Sequence, residues 1–158
     1  MKNKMKNYLK FSILVICIIV NLSYSVKSDE FIFEGEEIEI LNEGKKLVSK
    51  QGVKITTNDN IEIIADEFEY DKEKNELLLE GNILVENFND KTVIRANKIR
   101  YFKILEKIIT YGETEININN NYIIDSSDVV ILQKESTLSS FKKTTIKDKY
   151  KNNFTSEE

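Results

Sequence analysis

Ile63-Ile64-Ala65-Asp66-Glu67-Phe68-Glu69-Tyr70 is the stretch that decides the fold, because the chain repeats it. A second copy, Ile94-Arg95-Ala96-Asn97-Lys98-Ile99-Arg100-Tyr101, follows 31 residues later, and a fainter copy spans Ile124 to Ile131. A similar interval separates Gly52, Gly81 and Gly112. A fixed period of this length is typical of repeat architectures, in which each unit buries its apolar face by stacking on its neighbours. The sequence therefore predicts an elongated stack of similar units.

Within each unit, apolar residues alternate with polar residues at a period of two. Val53 and Ile55 flank Lys54, and Ile116 and Ile118 alternate with polar neighbours. This alternation is typical of strands that bury one face and expose the other. Short turns rich in Asn and Asp, which tolerate left-handed backbone geometry, separate the alternating runs. The sequence predicts an all-β chain of about a dozen strands, each of about five residues.

Inside the copies, the alternation of apolar and polar residues shifts by one position. Ile63 and Ala65 share one phase, whereas Phe68 and Tyr70 share the other. One extra residue turns the following side chains to the other face, so the chain is expected to bulge or turn a corner there. Each repeat then supplies a strand, a corner, a second strand and a hairpin return, and stacked repeats place two sheets face to face. The corners are predicted at Ala65, Ala96 and Ser126.

Residues 1–25 have the layout of a secretory signal peptide. Several lysines are followed by an apolar run over residues 11–22 and then by small residues. This run is short for a membrane span, which needs about 20 residues, so we expect cleavage after Ser25 rather than retention as an anchor. Cys17 is the only cysteine, and it lies in this run. The mature chain is therefore predicted to lack disulfides and cysteine-based metal sites.

The amino-acid composition argues against several classes of function. The 158 residues include 23 Lys and Arg against 27 Asp and Glu, a net charge of -4, which argues against a nucleic-acid partner. Histidine is absent, so the usual general base and the commonest metal ligand are missing. The acidic residues 66–71 suggest a glycosidase pair, but Glu67 and Glu69 alternate with apolar residues and should face solvent. We expect no enzyme activity, no cofactor and no metal site.

The segment Ile63–Lys72, followed by Leu77–Val85, resembles the OstA-like repeat of the LptA-type domain family. That domain is shared by the lipopolysaccharide-transport proteins LptA and LptC and by the N-terminal part of LptD, and the resemblance covers roughly residues 31–158. It implies an open β-jellyroll, or β-taco, whose apolar interior shelters lipid acyl chains while the sugar head group stays in water. It also implies that successive domains join by pairing their edge strands.

The last residues of the sequence bear on which family member the chain resembles most. Thr144–Asp148 is similar to residues 82–86, and residues 153–158 are similar to the start of a further copy. We therefore expect residues 26–158 to be an OstA-like β-jellyroll domain truncated at its C-terminus. This favours the N-terminal periplasmic domain of an LptD-type protein, followed by an outer-membrane barrel. A stand-alone LptA-like bridge is an alternative, as is an LptC-like protein that keeps residues 11–22 in the inner membrane.

Two classes of function remain. The first is a lipid conduit and scaffold in the periplasm, associated with the outer membrane, whose partners are lipopolysaccharide and other Lpt proteins. The second is a secreted structural β-repeat protein, in which the inward residues close a dry core. The Ala-Asp…Tyr-Asp-Lys spacing and the export segment favour the first. The residues then expected to face lipid are Ile63, Ala65, Phe68, Tyr70, Ile83, Val85, Ile94, Ala96, Ile99 and Tyr101.

Overall fold

The computed structural model describes residues 31–156, so the predicted export segment lies outside the described residues. Within this range the chain forms one connected antiparallel sheet of 14 strands and no α-helix, and hence no helix there is long and apolar enough to cross a membrane. The strands are β1 (Ile32–Glu34), β2 (Glu39–Leu41), β3 (Lys46–Ser49), β4 (Val53–Thr56), β5 (Ile61–Ala65), β6 (Glu67–Asp71), β7 (Glu76–Asn87), β8 (Thr92–Phe102), β9 (Lys107–Ile118), β10 (Tyr122–Ser127), β11 (Val130–Leu132), β12 (Thr137–Ser139), β13 (Thr144–Asp148) and β14 (Asn153–Ser156).

The sheet is folded into two half-sheets that share the strands β7, β8 and β9. The first half-sheet has the order β1-β4-β5-β7-β8-β9-β10-β13-β14. The second runs β2-β3-β6-β7-β8-β9-β11-β12. β7 pairs with β6 along its first part and with β5 along its second part, so each shared strand passes from one half-sheet into the other. The predicted open, all-β jellyroll of strand-corner-strand repeats is confirmed.

The fold line between the half-sheets lies where the sequence predicts corners. The chain breaks at Asp66, between β5 and β6. The Asp66 N–H donates to the Gly81 carbonyl (3.0 Å), and the Gly52 N–H donates to the Asp66 carbonyl (2.7 Å). The β7–β8 register shifts between Glu80 and Ile83, and the β8–β9 register shifts between Ala96 and Lys98. Asp66 and the glycines Gly52 and Gly81 therefore lie side by side at the same corner.

One expectation about strand length is wrong. Strands of about five residues were expected, but β7 and β9 have 12 residues each and β8 has 11. The slip in phase at Gly81 suggests the end of a strand, whereas the main-chain ladder continues on both sides of it. A bulge changes the face of the side chains without ending the pairing.

The core is built from rows of inward side chains that run across the strands. In the first half-sheet, one such row joins neighbouring strands: Ile63 is opposite Val85, Val85 is opposite Ile94, and Ile94 is opposite Ile116. All four are buried, as are Leu77, Leu79 and Ile99 of the second half-sheet. Burying such side chains contributes about 1.5–3 kcal/mol each. The two apolar faces therefore hold the folded sheet together.

Candidate functional site

An apolar cavity of about 410 Å³ lies between the two half-sheets. Its volume falls in the lower part of the range of small-molecule sites, about 300–1,000 Å³. Both half-sheets contribute to its walls, and the side chains that face it are mostly isoleucine and leucine. The apolar residues that line it are Ile61, Ile63, Leu79, Val85, Ile94, Ile99, Tyr101, Ile108, Ile116, Ile118, Ile131, Leu132 and Leu138.

The structure places nine of the ten predicted inward residues in the buried core and packs the tenth, Tyr101, against it. They do not all reach the cavity. Five line it: Ile63, Val85, Ile94, Ile99 and Tyr101. Ala65, Ile83 and Ala96 lie at the corner, where Ala96 pairs with Ile83. Phe68 lies against the ring of Phe33 on β1, and Tyr70 lies against the ring of Phe31, which immediately precedes β1. Lipid contact by any of the ten stays a prediction.

Sequence reasoning did not assign several residues that line the cavity. Ile116 and Ile118 carry the period-two signal that would have identified them. Ile131 and Leu138 lie on strands of three residues each, where alternation is too short to reveal a face. They follow only from the pairing of β11 with β9 and with β12.

Aromatic rings fill the interior at the end nearest β1. Phe33 stacks on Phe68, with ring centroids 5.0 Å apart and planes 15° apart. Phe31 meets Tyr70 edge-on at 5.2 Å and Tyr101 at 6.1 Å. Such pairs contribute about 0.5–1.5 kcal/mol each beyond simple burial. The cavity therefore begins at Tyr101 and extends away from β1.

Polar side chains form the rim of the cavity. Thr57, Asn87, Asp90 and Thr92 lie at strand ends and in turns of the first half-sheet, and Gln133, Ser136 and Thr137 lie in the β11–β12 hairpin of the second. Among the described residues that line the cavity, only Asp90 and Tyr101 are ionisable. An apolar chamber with an uncharged wall and a hydrogen-bonding rim suits an amphiphile, whose chain enters while its polar group stays at the rim.

Buried hydroxyl groups occupy the corner toward the C-terminal strands. Thr110 Oγ1 accepts hydrogen bonds from Thr114 Oγ1 (2.7 Å) and from the Val129 N–H (3.0 Å). Ser126 Oγ and Thr144 Oγ1 share a bond of 2.8 Å. Ser126, which replaces alanine in the third copy, is therefore satisfied within the fold. These bonds fix the corner.

The acidic cluster at residues 66–71 has structural roles. Glu69 pairs with Lys46 at 2.7 Å. Asp71 accepts the N–H of Lys74, and the hydrogen bond from the Lys74 side chain holds the pKa of Asp71 below its usual range. Asp66 accepts a hydrogen bond from Asn82 at 2.8 Å. Within residues 31–156, no three His, Cys, Asp or Glu side chains are grouped to hold a metal ion.

Comparison with known proteins adds evidence about the fold. By sequence, the chain matches no protein-family profile and no curated protein. By structure, it is similar to LptH of Pseudomonas aeruginosa, described as the LptA-homologous periplasmic component of the lipopolysaccharide transport device, with a TM-score of 0.65 and 10% identity. The match covers 85% of this chain and 99% of that chain. At this identity the likeness shows a common fold, the LptA-like β-jellyroll.

Proposed function

We propose that this protein carries lipopolysaccharide through the periplasm toward the outer membrane, sheltering its acyl chains between the two half-sheets. The observation that supports the proposal is the apolar cavity of about 410 Å³, bounded by both half-sheets of an LptA-like fold. The cavity accommodates part of a large lipid, so the rest of the molecule must emerge at the polar rim. Each buried methylene contributes about 0.8 kcal/mol, which gives useful affinity without a charged pocket.

We further propose that the protein joins neighbouring transport domains through its sheet edges. Among residues 31–156, β1 and β2 at one end and β12 and β14 at the other each pair on one side only. A strand of a second protein can extend such an edge through main-chain hydrogen bonds. Both ends of the groove carry these edges, so a partner at either end would continue the apolar interior.

Within the transport machinery, the resemblance favours the N-terminal domain of an LptD-type protein, with an LptA-type bridge as the alternative. Cell fractionation separates the two. A chain fused to a barrel stays in the outer membrane after carbonate extraction, whereas a bridge protein is released by osmotic shock. Residues 1–25 would act as the export signal in either case, and N-terminal sequencing of the mature protein tests the predicted cleavage after Ser25.

Site-specific photo-crosslinking in cells tests the lipid-carrying role. Ile118 lines the cavity and is only partly buried, so a bulky photoreactive residue should fit there. Asn117 precedes it on β9 and points to the other face of the strand. Ile99 and its outward neighbour Lys98 form a second such pair on β8. We expect lipopolysaccharide adducts at Ile118 and Ile99 and none at Asn117 or Lys98.

Adducts at the outward positions alone would contradict the proposal. Absence of adducts at all four positions, in a protein that folds and is exported, would favour the secreted structural β-repeat protein instead.

A further inference from the structure

The aromatic side chains of Phe33, on β1, and of Phe31, which immediately precedes β1, occupy the continuation of the cavity. Tyr70 and Tyr101 both face the interior from the second half-sheet, but only Tyr101 lines the cavity, because Phe31 and Phe33 cover Tyr70. Phe31 meets both tyrosine rings, and Phe33 stacks on Phe68. Both half-sheets continue past Tyr101 through β4, β5, β6 and β3. The cavity therefore stops where the rings of Phe31 and Phe33 fill the space between them.

The strand that positions these rings is short. β1 has three residues and, within the described chain, pairs only with β4, through three opposed residue pairs. With so few main-chain bonds, β1 is held in place chiefly by the contacts of these rings, including Lys103 Nζ 4.7 Å from the centre of the Phe31 ring, and a ligand that replaces the ring contacts can open it locally. The rings are apolar, so the space they fill would suit an alkyl chain equally well.

We propose that the groove contains a second alkyl-chain compartment beneath β1, which Phe31 and Phe33 occupy until a long ligand chain displaces them. This inference rests on the proposed function, because it needs an amphiphile in the cavity next to Tyr101. Short chains fill the cavity and leave β1 in place. Longer chains extend past Tyr101, take over the contacts with Phe68 and Tyr70, and release β1 from the interior.

A reversible tether on β1 tests the compartment directly. Ile32 and Thr56 face each other across β1 and β4, and Ile32 points to solvent. Directly opposed residues have Cα atoms about 4.5–5.5 Å apart, within the range of about 4.4–6.8 Å that a disulfide spans. The full chain carries Ile32→Cys and Thr56→Cys, with Cys17→Ser to remove the native thiol. Oxidation then locks β1 in place, and reduction frees it in the same molecule.

The readout is the calorimetric affinity for a series of fatty acids from decanoate to stearate. In the reduced protein, affinity should keep rising with chain length, by up to about fourfold for each methylene that becomes buried. In the oxidised protein, the rise should stop at a shorter acid. A Phe31→Ala/Phe33→Ala variant should bind stearate more tightly than the wild-type chain does and decanoate about equally.

A tether at the other end of the sheet is the matched control. Lys147 and Asn153 are opposed across β13 and β14, so Lys147→Cys/Asn153→Cys locks β14 without touching the interior at β1. Its oxidised and reduced forms should give the same chain-length series.

The results separate the two proposals. If the chain-length series is the same in the oxidised, reduced and alanine proteins, the second compartment is overturned while the proposed function stands. If no fatty acid binds to any form, the cavity does not hold alkyl chains and both proposals fail.

Discussion

At the scale of single residues, the repeated glycines have a definite stereochemical reason. Gly81 and Gly112 occupy equivalent corner positions with φ of +76° and +74°, a backbone conformation that side chains disfavour. They differ in their surroundings. A Cβ atom at Gly81 would collide with the carboxylate of Asp66, whereas a Cβ atom at Gly112 would meet open space. The corner at Gly112 therefore has room for a side chain, whereas the corner at Gly81 does not.

This difference predicts unequal costs for two alanine substitutions. Gly112→Ala should lower the free energy of unfolding by about 1–2 kcal/mol through backbone strain alone. Gly81→Ala should cost about 1–3 kcal/mol more, because Asp66 must move as well. Urea denaturation of both variants measures the difference. Equal costs would mean that the Asp66 carboxylate moves aside freely.

Tyr70 gives the aromatic cluster a pH dependence. Burial, aided by the charge of Asp71, raises the pKa of the Tyr70 phenol. The neutral phenol is therefore favoured in the folded state, and its stabilisation is complete below the unfolded pKa of about 10. It is lost as the pH rises from there through the folded pKa.

We accordingly expect Tyr70→Phe to reduce the loss of stability above pH 10, measured by urea denaturation at a series of alkaline pH values. Tyr150→Phe is the control, because Tyr150 is 75% exposed in a turn. It should keep the full alkaline decline. A decline in Tyr70→Phe as steep as that of the wild-type chain would contradict the role given to Tyr70.

At the scale of elements, the strand-corner-strand order could be predicted from sequence because the phase slip is local. One segment of eight residues shows the inward positions on both sides of the corner, Ile63 and Ala65 before it and Phe68 and Tyr70 after it. The continuity of β7 through Gly81 could not be predicted, since the apolar pattern shifts phase in the same way at a bulge within a strand and at a break between two strands. The inward face could be predicted position by position, but the division into cavity and solid core could not. That division depends on where β1 packs.

The packing of β1 is a long-range effect. Phe33 alternates with its neighbours as in any half-buried strand, and it pairs in register with Ile55 of the first half-sheet. Its ring nevertheless stacks on Phe68 of the second half-sheet. No local signal tells which opposite residue a side chain will meet, or whether it will meet a cavity.

The hydroxyl cluster at the corner joins β9 to the segment that precedes β11. Thr110 is fully buried and accepts hydrogen bonds from Thr114 and from the main chain of Val129. Thr110→Val keeps the shape but leaves both donors without this acceptor. We expect the free energy of unfolding to fall by about 1–3 kcal/mol.

Adding Thr114→Val to this variant removes one of the two donors, the hydroxyl that also reaches the Gly112 carbonyl at 3.1 Å. The double variant should therefore lose less stability than the sum of the two single changes, as a double-mutant cycle by urea denaturation would measure. Strict additivity would show that the two hydroxyl groups are not coupled.

At the scale of the whole molecule, the two ends of the sheet carry opposite charge. Residues 31–44, around β1 and β2, contain five glutamates and no Lys or Arg. Residues 133–152, around β12 and β13, contain six lysines against one Glu and one Asp. Both ends also carry edge strands, so the charges lie where the proposed docking occurs. Complementary charge speeds encounter and selects orientation more than it adds affinity.

Opposite charges at the two ends predict a polarity for docking between copies of this chain: the acidic end of one copy should meet the basic end of the next. Glu36→Lys/Glu39→Lys should therefore weaken self-association of the variant by about tenfold, since exposed pairs contribute about 0.2–1 kcal/mol each and like charges oppose contact. Lys149→Glu/Lys151→Glu should do the same. Mixing the two variants restores opposite charge wherever one variant meets the other, and analytical ultracentrifugation at low salt should then recover association that raised salt reverses. If the mixture associates no better than either variant alone, charge does not direct the docking, and main-chain pairing at the edges would have to determine the order by itself.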